Sequence, residues 1–489
     1  MLKEWMVRAD TAEGDVLAQE IGAASLIGQI LWGRGIRSAK EARAFLHPED
    51  EPFHDPFLMM DMERSAERIW NAIHSGEQIV VYGDYDVDGM TSTTLLMKHI
   101  RALGGKVSYY IPNRFTEGYG INGAALAQLA AEGCDLLVTV DCGIASVQTV
   151  AETAAGMDII ITDHHLPGVV LPPAYAVVNP HRADCPYPDK NLAGVGVAFK
   201  LVQALWQMER GRLCTADMDI AALGTIADLV PLVGENRKIV RLGLRVMSEH
   251  PCEGIAALIR VAGIEGKAIN TGMVGFQLAP RLNAAGRIET ARSGVELLLA
   301  EDVREADRIA GELNALNTER RNLEQSILME AETFLSDVTP DVSAIVVAGE
   351  AWNAGVIGIV ASRLVEKYYR PSIVLTRQGD VCKGSCRSIA GLNMYEALSA
   401  CRDMLIQFGG HEMAAGLTLA WDRVEDFRRA FANYVYTHLK IEDFTPKISI
   451  EGLVPPTDWT IEKIEELALL EPYGMGNPRP IFGMRDLRP

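Results

Sequence analysis

Long apolar runs are missing from this 489-residue chain. No stretch reaches the roughly eighteen consecutive apolar residues that a membrane-spanning helix needs. The amino terminus, MLKEWMVRADTAEGD, lacks the apolar middle and small-residue cleavage site of a secretory signal. A cytoplasmic location is therefore expected. Cysteine is sparse and scattered, at 134, 142, 185, 214, 252, 382, 386 and 401. That spacing excludes a disulfide framework and reads as reduced thiols. Cys382 and Cys386 have no second Cys/His pair of zinc spacing beside them. Tandem repeats and low-complexity linkers are also missing. Cationic excess is absent: 46 Lys and Arg against 65 Asp and Glu leave a net charge of −19. That balance speaks against a nucleic-acid partner only weakly, because binding answers to local potential and bound metal offsets carboxylate charge.

The chain is too long for one core, and about two to four domains are expected. Residues 1 to 50 carry short helical patterns, including SAKEARAFL behind a Ser38 cap. From about residue 75, β-rich runs at Ile79–Tyr82, Val107–Ile111, Leu136–Val140, Ile159–Thr162 and Ala176–Val178 alternate with helical runs. The helical runs include Thr93–Ala102, Ala124–Ala131 and Ile144–Ala154. Strand, helix, strand repeated this way predicts a mostly parallel sheet covered on both faces. Beyond Asn191 the chain is mostly helical, and residues 301–337 read as one long charged helix connecting domains. A second α/β segment begins at SAIVVAGEAW, and KISIEGLVPPTDWT opens a third unit.

Functional residues of open parallel sheets gather just past the carboxyl ends of strands. Those positions here hold Asp84, Asp86 and Asp88; then Asp141; then Asp163, His164 and His165; then Asn179 and His181. Asp228 follows in an apolar setting, ALGTIADLVPL. A single Asp after a strand is usually a cap or turn residue. Carboxylates and imidazoles recurring at one sheet edge are different, since such a concentration of anions is costly without cations. Mixed carboxylate and imidazole donors suit Mn²⁺, with Mg²⁺ as the alternative. Two such ions at about 3.5–4 Å separation are the arrangement used for phosphoryl displacement.

In this order GDYDVDG, VDCG, TDHH and TIADLVPL resemble the metal motifs of the DHH phosphoesterase superfamily. More narrowly, the chain is similar to the RecJ family of single-strand-specific DNA exonucleases. The likeness extends through QILWGRGI, NLAGVGVAFKL, APRLNAAGRI, WNAGVIGIVASRL, GSCRS, GGHEMAAG and EPYGMGNPRPIF. It departs at Asn353, where the family motif carries a Trp-His-Gly-like sequence.

The resemblance implies an α/β fold. Its parts would be an N-terminal helical segment (1–50), a DHH catalytic domain with a parallel sheet (51–300), a connecting helix (301–337), a smaller α/β DHHA1 domain (338–445) and a partial OB-fold (446–489). The last is partial because an OB barrel needs five strands. The implied metal ligands are Asp86, Asp88, Asp141, His164 and Asp228. Asp84 and Asp163 would orient ligands or complete a shell, and His165 would sit beside the scissile phosphate. The implied activity is metal-dependent, 5′ to 3′ degradation of single-stranded DNA to mononucleotides in repair and recombination. A helicase and a single-strand-binding protein would be its strand-feeding partners. Rival readings are a phosphodiesterase for short oligonucleotides or cyclic dinucleotides, and a non-catalytic replication scaffold.

For strand binding the candidates are Arg281, Asn283 and Arg287; Lys383, Ser385, Arg387 and Ser388; and Gly409, Gly410 and His411. Surface arginines, a solvated loop and a tight glycine turn are the respective bland alternatives. Phe115, Tyr119 and Phe276 are candidates for base stacking, or else ordinary packing residues.

Overall fold

The computed structural model describes residues 3–114, 116–118, 120–153, 156–288, 290–335 and 342–485. Phe115, Tyr119 and Ala154, together with residues 336–341 at the end of the expected connecting helix and the start of the next domain, lie outside the described residues. The chain divides into two compact units, Ala9–Asn317 with Val454–Pro489, and Met1–Arg8 with Thr318–Leu453.

The larger unit is built on five parallel strands: β1 (Gln78–Gly83), β2 (Lys106–Tyr110), β3 (Leu136–Val140), β4 (Asp158–Thr162) and β5 (Ala176–Val178). Their spatial order is 2-1-3-4-5. β3 is buried along its whole length and β1 nearly so, as strands covered on both faces must be. The order reverses between β1 and β3, so a crevice opens past their carboxyl ends, where doubly wound sheets bind ligands.

Helix α1 (Val87–Ala102) begins at that crevice, its first turn capped by the Asp86 carboxylate, which accepts from Gly89 N–H at 3.1 Å. The helix is buried on nearly every side although it carries three consecutive polar residues, Ser92–Thr93–Thr94, after Thr91. The hydroxyls of Thr91, Thr93 and Thr94 are returned to the carbonyls of Val87, Gly89 and Met90, so no threonine hydroxyl is stranded. Packed around α1 are α2 (Gly194–Arg210) and α3 (Met218–Ala227), followed by α4 (Gly234–Glu249) and α5 (Ala279–Ile288).

The last part of the chain returns to this unit. Leu470, at the end of the segment that includes a short helix (Ile461–Ala468), is buried in one apolar cluster with Leu17, Ile27, Ile30 and Leu31 of the N-terminal helices. Arg237 of α4, fully buried, fastens the junction. Its guanidinium donates to the carbonyls of Phe45, Leu469, Leu470, Glu471 and Pro472. Asn477 continues the clasp, donating to Leu470 and Pro472 carbonyls while accepting from Arg34.

The long helix α6 (Val303–Thr333) carries the chain into the smaller unit. There a mixed sheet holds β6 (Ile345–Glu350), β7 (Ser372–Gln378), β8 (Val381–Arg387), β9 (Gln407–Gly410) and β10 (Ala414–Ala420), in the order 9-10-8-7-6. Only β6 and β7 run parallel. GGHEMAAG is thus a tight glycine turn between two strands. It is the tip of the β9–β10 hairpin, closed by His411 N–H to the Ala414 carbonyl at 2.8 Å. The expected OB segment contributes a strand, Lys447–Ile450, that pairs in parallel with Glu4–Val7 near the other end of the sequence. Residues 446–485 form no five-stranded barrel among the described residues. Among the described residues, no helix is long and apolar enough to cross a membrane.

Candidate metal centre

The crevice between β1 and β3 collects Asp84, Asp86, Asp88, Asp141, His164, His165 and Asp228, whereas His181, whose backbone N–H donates to Asn179 Oδ1, belongs to none of the ligand sets. Ligand-type atoms of Asp84, Asp86 and Asp141 lie within 4.8 Å of one another, as do those of Asp88, His164 and Asp228 and those of Asp141, His164 and His165. Asp141 and His164 thus each belong to two of the three sets.

Each side chain is aimed by backbone that the fold supplies. Asp141 ends β3 in the left-handed region (φ 59), a conformation Asp tolerates better than most residues. Asp88 lies in the first turn of α1, and its two oxygens accept from the N–H groups of Gly194 and Val195, both at 2.7 Å. These are the first residues of α2, whose positive end favours a carboxylate there. Gly194 also lets Asp141 approach, since a Cβ on it would meet the Asp141 side chain at 2.7 Å. Asp228 caps the end of α3.

The two histidines behave differently. His164 hydrogen-bonds the Leu192 backbone through its ring. Its Nε2 has no hydrogen-bond partner among the described residues and points at Asp141 (3.2 Å), Asp228 (3.6 Å) and Asp88 (3.9 Å). A ring N–H given to a carbonyl leaves the other nitrogen with its lone pair free for a cation. Asp163 is occupied otherwise: one oxygen accepts from the backbone N–H of His164 and His165 and from His165 Nδ1 at 2.7 Å, and the other from Ile144 N–H. It orients His165, whose side chain is about half exposed. Asn179 supports the same turn by donating to the His165 carbonyl.

The electrostatics follow from crowding. Burial, then the Asp86 charge, pushes the Asp84 carboxyl up to about 8 and Asp88 to about 7. Burial and the neighbouring Asp88 and Asp86 raise Asp228 to about 9, and burial with the surrounding carboxylates holds Asp141 well above the usual range. Burial, then His165, pulls His164 down to about 4. Burial is the largest influence on both His165 and Asp163 and disfavours the charged form of each. Their hydrogen bond, their mutual attraction and the neighbouring charges and backbone N–H groups together outweigh it, raising the first and lowering the second.

Four buried donor-set atoms have no hydrogen-bond partner among the described residues: Asp84 Oδ1, Asp141 Oδ1, His164 Nε2 and Asp228 Oδ2. Buried polar atoms are rarely left unpaired. Four together in one crevice, three on carboxylates that repel one another, fit divalent cations with oxygen and imidazole donors.

Comparison with known proteins agrees in extent and order. Residues 78–226 match the DHH family N-terminal domain, 341–437 the DHHA1 domain and 450–489 the RecJ OB domain. The single-stranded-DNA-specific exonuclease RecJ of Bacillus subtilis (strain 168) is 45% identical over 476 residues, covering 97% of this chain and 60% of the relative. RecJ of Dickeya dadantii (strain 3937) is 38% identical, covering 94% of this chain and 83% of the relative. The chain belongs to the RecJ family. RecJ from Thermus thermophilus, solved with Mn²⁺, superposes with a TM-score of 0.85 at 33% identity, covering 98% of this chain and 69% of that one. The same RecJ solved with Mg²⁺ superposes with a TM-score of 0.79.

The RecJ-type strand-binding candidates fall into two separate groups. Arg281, Asn283 and Arg287 share α5 in the larger unit, where Arg281 donates to Asn314 and to the Gln277 carbonyl. Phe276, just before α5, is 86% exposed. In the smaller unit, β8 alternates: Cys382 and Cys386 are buried, while Lys383, Ser385 and Arg387 share the opposite face. Arg387 Nη1 lies 3.3 Å from Ser385 Oγ. Gly358 in the first turn of a helix (Ile357–Tyr368) lies against both, since a Cβ there would meet Ser385 Oγ at 2.9 Å and Arg387 Nη2 at 3.4 Å. Gly409 sits across β10 from Ser385, both paired with Gly416. Ser388 is different: it is buried, and its hydroxyl is given to the Leu392 carbonyl at 2.7 Å. Asn353 makes a local turn, accepting from Gly355 N–H.

The sequence reading missed Gly194 and Val195. Their signal was the glycine-rich AGVGVAF at a helix start, which is legible only as an anion-binding terminus.

Proposed function

We propose that the chain is a metal-dependent exonuclease that hydrolyses the phosphodiesters of single-stranded DNA, 5′ to 3′, releasing mononucleotides. The observation that carries this reading is the convergence of four partnerless buried ligand atoms at the switch point of a parallel sheet. Family membership narrows the substrate to single-stranded DNA, and the resemblance supplies the polarity and the product.

Asp84, Asp86, Asp88, Asp141, His164 and Asp228 would hold two Mn²⁺, or Mg²⁺ in its place. Divalent ions bound there supply Lewis-acid stabilisation of phosphate oxygens and a water nucleophile at neutral pH. The chain's own residues do the rest. Asp163 keeps His165 turned outward and favours its protonated form. His165 then presents an N–H to the phosphate oxygen that gains charge. Asp88, held by the start of α2, fixes the geometry of the donor set and spares it reorganisation. Arg281, Asn283 and Arg287 on α5 and Ser385, Arg387, Gly409, Gly410 and His411 in the smaller unit are the phosphate grips. Ser388 supports that loop through the backbone rather than by touching the strand.

End-labelled single-stranded and duplex DNA, incubated with Mn²⁺, Mg²⁺ or chelator, tests all of this at once. Labelled mononucleotide released from the 5′ end of single strands alone, and only with metal, is the expected result. Cleavage of duplex at the same rate, or turnover in chelator, would overturn it.

A further inference from the structure

The ligands Asp88, His164 and Asp228 reach the crevice from two separate stretches of backbone. Residues 192–195 form one: Leu192 bonds the His164 ring, and the N–H groups of Gly194 and Val195 hold Asp88. Residues 228–231, the turn after α3, form the other. Asp228 opens that turn, and Leu229 follows in the left-handed region (φ 60). A bulky residue rarely adopts that conformation, so local preference alone does not hold this turn in place.

One buried side chain reaches both stretches. Asn236, in the first turn of α4, is fully buried. Its Nδ2 donates to the Asn191 carbonyl at 2.5 Å and to the Pro231 carbonyl at 3.1 Å. Asn191 immediately precedes the first stretch, and Pro231 lies three residues past Asp228. Two carbonyl acceptors fix which way the amide faces, because a flipped amide would set its oxygen against both. Its Oδ1 has no hydrogen-bond partner among the described residues. A buried polar atom left unpaired is costly, so this amide does more than fill space.

The helix turn that carries Asn236 is itself pinned. Asp189 accepts from Glu235 N–H at 2.7 Å with one oxygen and from Asn191 N–H at 3.0 Å with the other. Gly234 (φ 51) permits this approach, since a Cβ there would meet Asp189 Oδ2 at 2.3 Å. Glu235 accepts from Lys200 Nζ at 3.1 Å, from His54 N–H at 2.9 Å and from the Tyr187 hydroxyl. Lys200 is fully buried and belongs to α2, the helix whose first N–H groups grip Asp88. The start of α4 is thus fixed to α2 and to the loop before it. Asn236 extends that hold to the Asp228 turn.

We infer that Asn236 is a positioning residue for one of the two ions, setting the separation between Asp228 and the Asp88–His164 pair by tying the backbone behind each. The inference deepens the proposed function and rests on it for the ions. Asp88, His164 and Asp228 make up one donor set. The set of Asp84, Asp86 and Asp141 takes its backbone from the ends of β1 and β3 rather than from either tied stretch. Loss of the clamp should therefore loosen one ion and spare the other, which a general loosening of the fold would not do. Groups that aim metal ligands from behind are typically worth roughly 10–100-fold in metal affinity.

The test uses the full chain with Asn236→Ala, which removes both bonds, and Asn236→Ser, which leaves one hydroxyl donor for two carbonyls. Val240→Ala, one turn farther along α4 and fully buried, controls for loosened packing. Thermal denaturation in chelator establishes that each variant folds, and calorimetric titration with Mn²⁺ in the absence of DNA resolves the two ions. Asn236→Ala should weaken one Mn²⁺ by about tenfold or more and leave the other within about twofold. Asn236→Ser should fall between it and the parent, and it carries the same prediction if Asn236→Ala does not fold. Val240→Ala should leave both affinities near those of the parent. With oligo-dT at fixed Mn²⁺, Asn236→Ala should lower kcat while KM for the strand holds, and added Mn²⁺ should recover the rate. Equal weakening of both ions, no weakening of either, or the same pattern in Val240→Ala would overturn the inference. A parent that binds both ions but leaves DNA intact would defeat the proposed function, and the clamp would stand.

Discussion

Replacing Asp141 by Asn isolates the cost of holding this carboxylate cluster together. Asn keeps the shape and tolerates the left-handed backbone at this position, so the change removes a charge and little else. Ligand atoms of Asp141, Asp84 and Asp86 lie within 4.8 Å. At an effective dielectric of about 20, two unit charges at that separation repel by about 3.5 kcal/mol. With metal chelated and the cluster ionised, near pH 8 and above, the Asn variant should therefore be more stable than the parent, by about 3 kcal/mol. For a large domain that corresponds to a rise in Tm of about 6 °C. The difference should depend on pH. These carboxyls have raised values in the folded state, so the folded protein holds protons that the unfolded chain releases. Their contribution is fully present below the ordinary carboxylate value and is lost as pH rises through about 8. The gain of the variant should then be small near pH 4 and large near pH 8. In Mn²⁺ at about 100 times its Kd the parent gains about 2.7 kcal/mol and the variant much less, so the order narrows or reverses. Thermal denaturation of both proteins, in chelator and in Mn²⁺ across that pH range, measures every term. A variant less stable than the parent in chelator, or one that gains as much from Mn²⁺, would refute the reasoning.

The remaining expectations are simpler to check. Gly194→Ala pushes a methyl against Asp141 and should weaken Mn²⁺ binding and turnover by at least about tenfold with little loss of helix stability, as calorimetry and a rate assay would show. Mn²⁺ binding near pH 7 should release protons, because Asp84 and Asp228, raised to about 8 and 9, are largely protonated without a cation. Affinity should climb with pH, and titrations in buffers of different ionisation heat would count the protons; a pH-independent affinity would contradict this. Arg387→Ala should raise KM for long single strands and lower the salt slope by about 0.7 while kcat at saturation changes little. A fall in kcat alone would remove Arg387 from the phosphate grips.

The strand ends were legible because a parallel sheet sends every carboxyl end to one edge. DYDVDG, VDCG and TDHH could therefore be assembled at one crevice from the sequence, and the structure brings them together there. Asp228 was legible only as a charge out of place among apolar residues. What could not be read were partnerships made through space. Asp88 is held by N–H groups 106 and 107 residues away, and backbone N–H leaves no mark in the sequence. The pairing of Glu4–Val7 with Lys447–Ile450 is similarly silent, since four residues of β pattern at each end do not name each other. Ser388 looked like its neighbours Ser385 and Arg387. Alternation places it instead on the buried face of Cys382 and Cys386, where its hydroxyl is given to the Leu392 carbonyl.

The clasp around Arg237 has a consequence for how the chain is made. The five carbonyls that receive this guanidinium come from Phe45 and from residues 469–472, so the larger unit is closed by sequence that leaves the ribosome only after the entire smaller unit. Until then a nascent chain holds a cation with most of its acceptors missing, and a greasy face on its first helices stands bare. Maturation is thus gated by the far end of the message: a ribosome that stalls anywhere in the second half leaves the catalytic half unsealed.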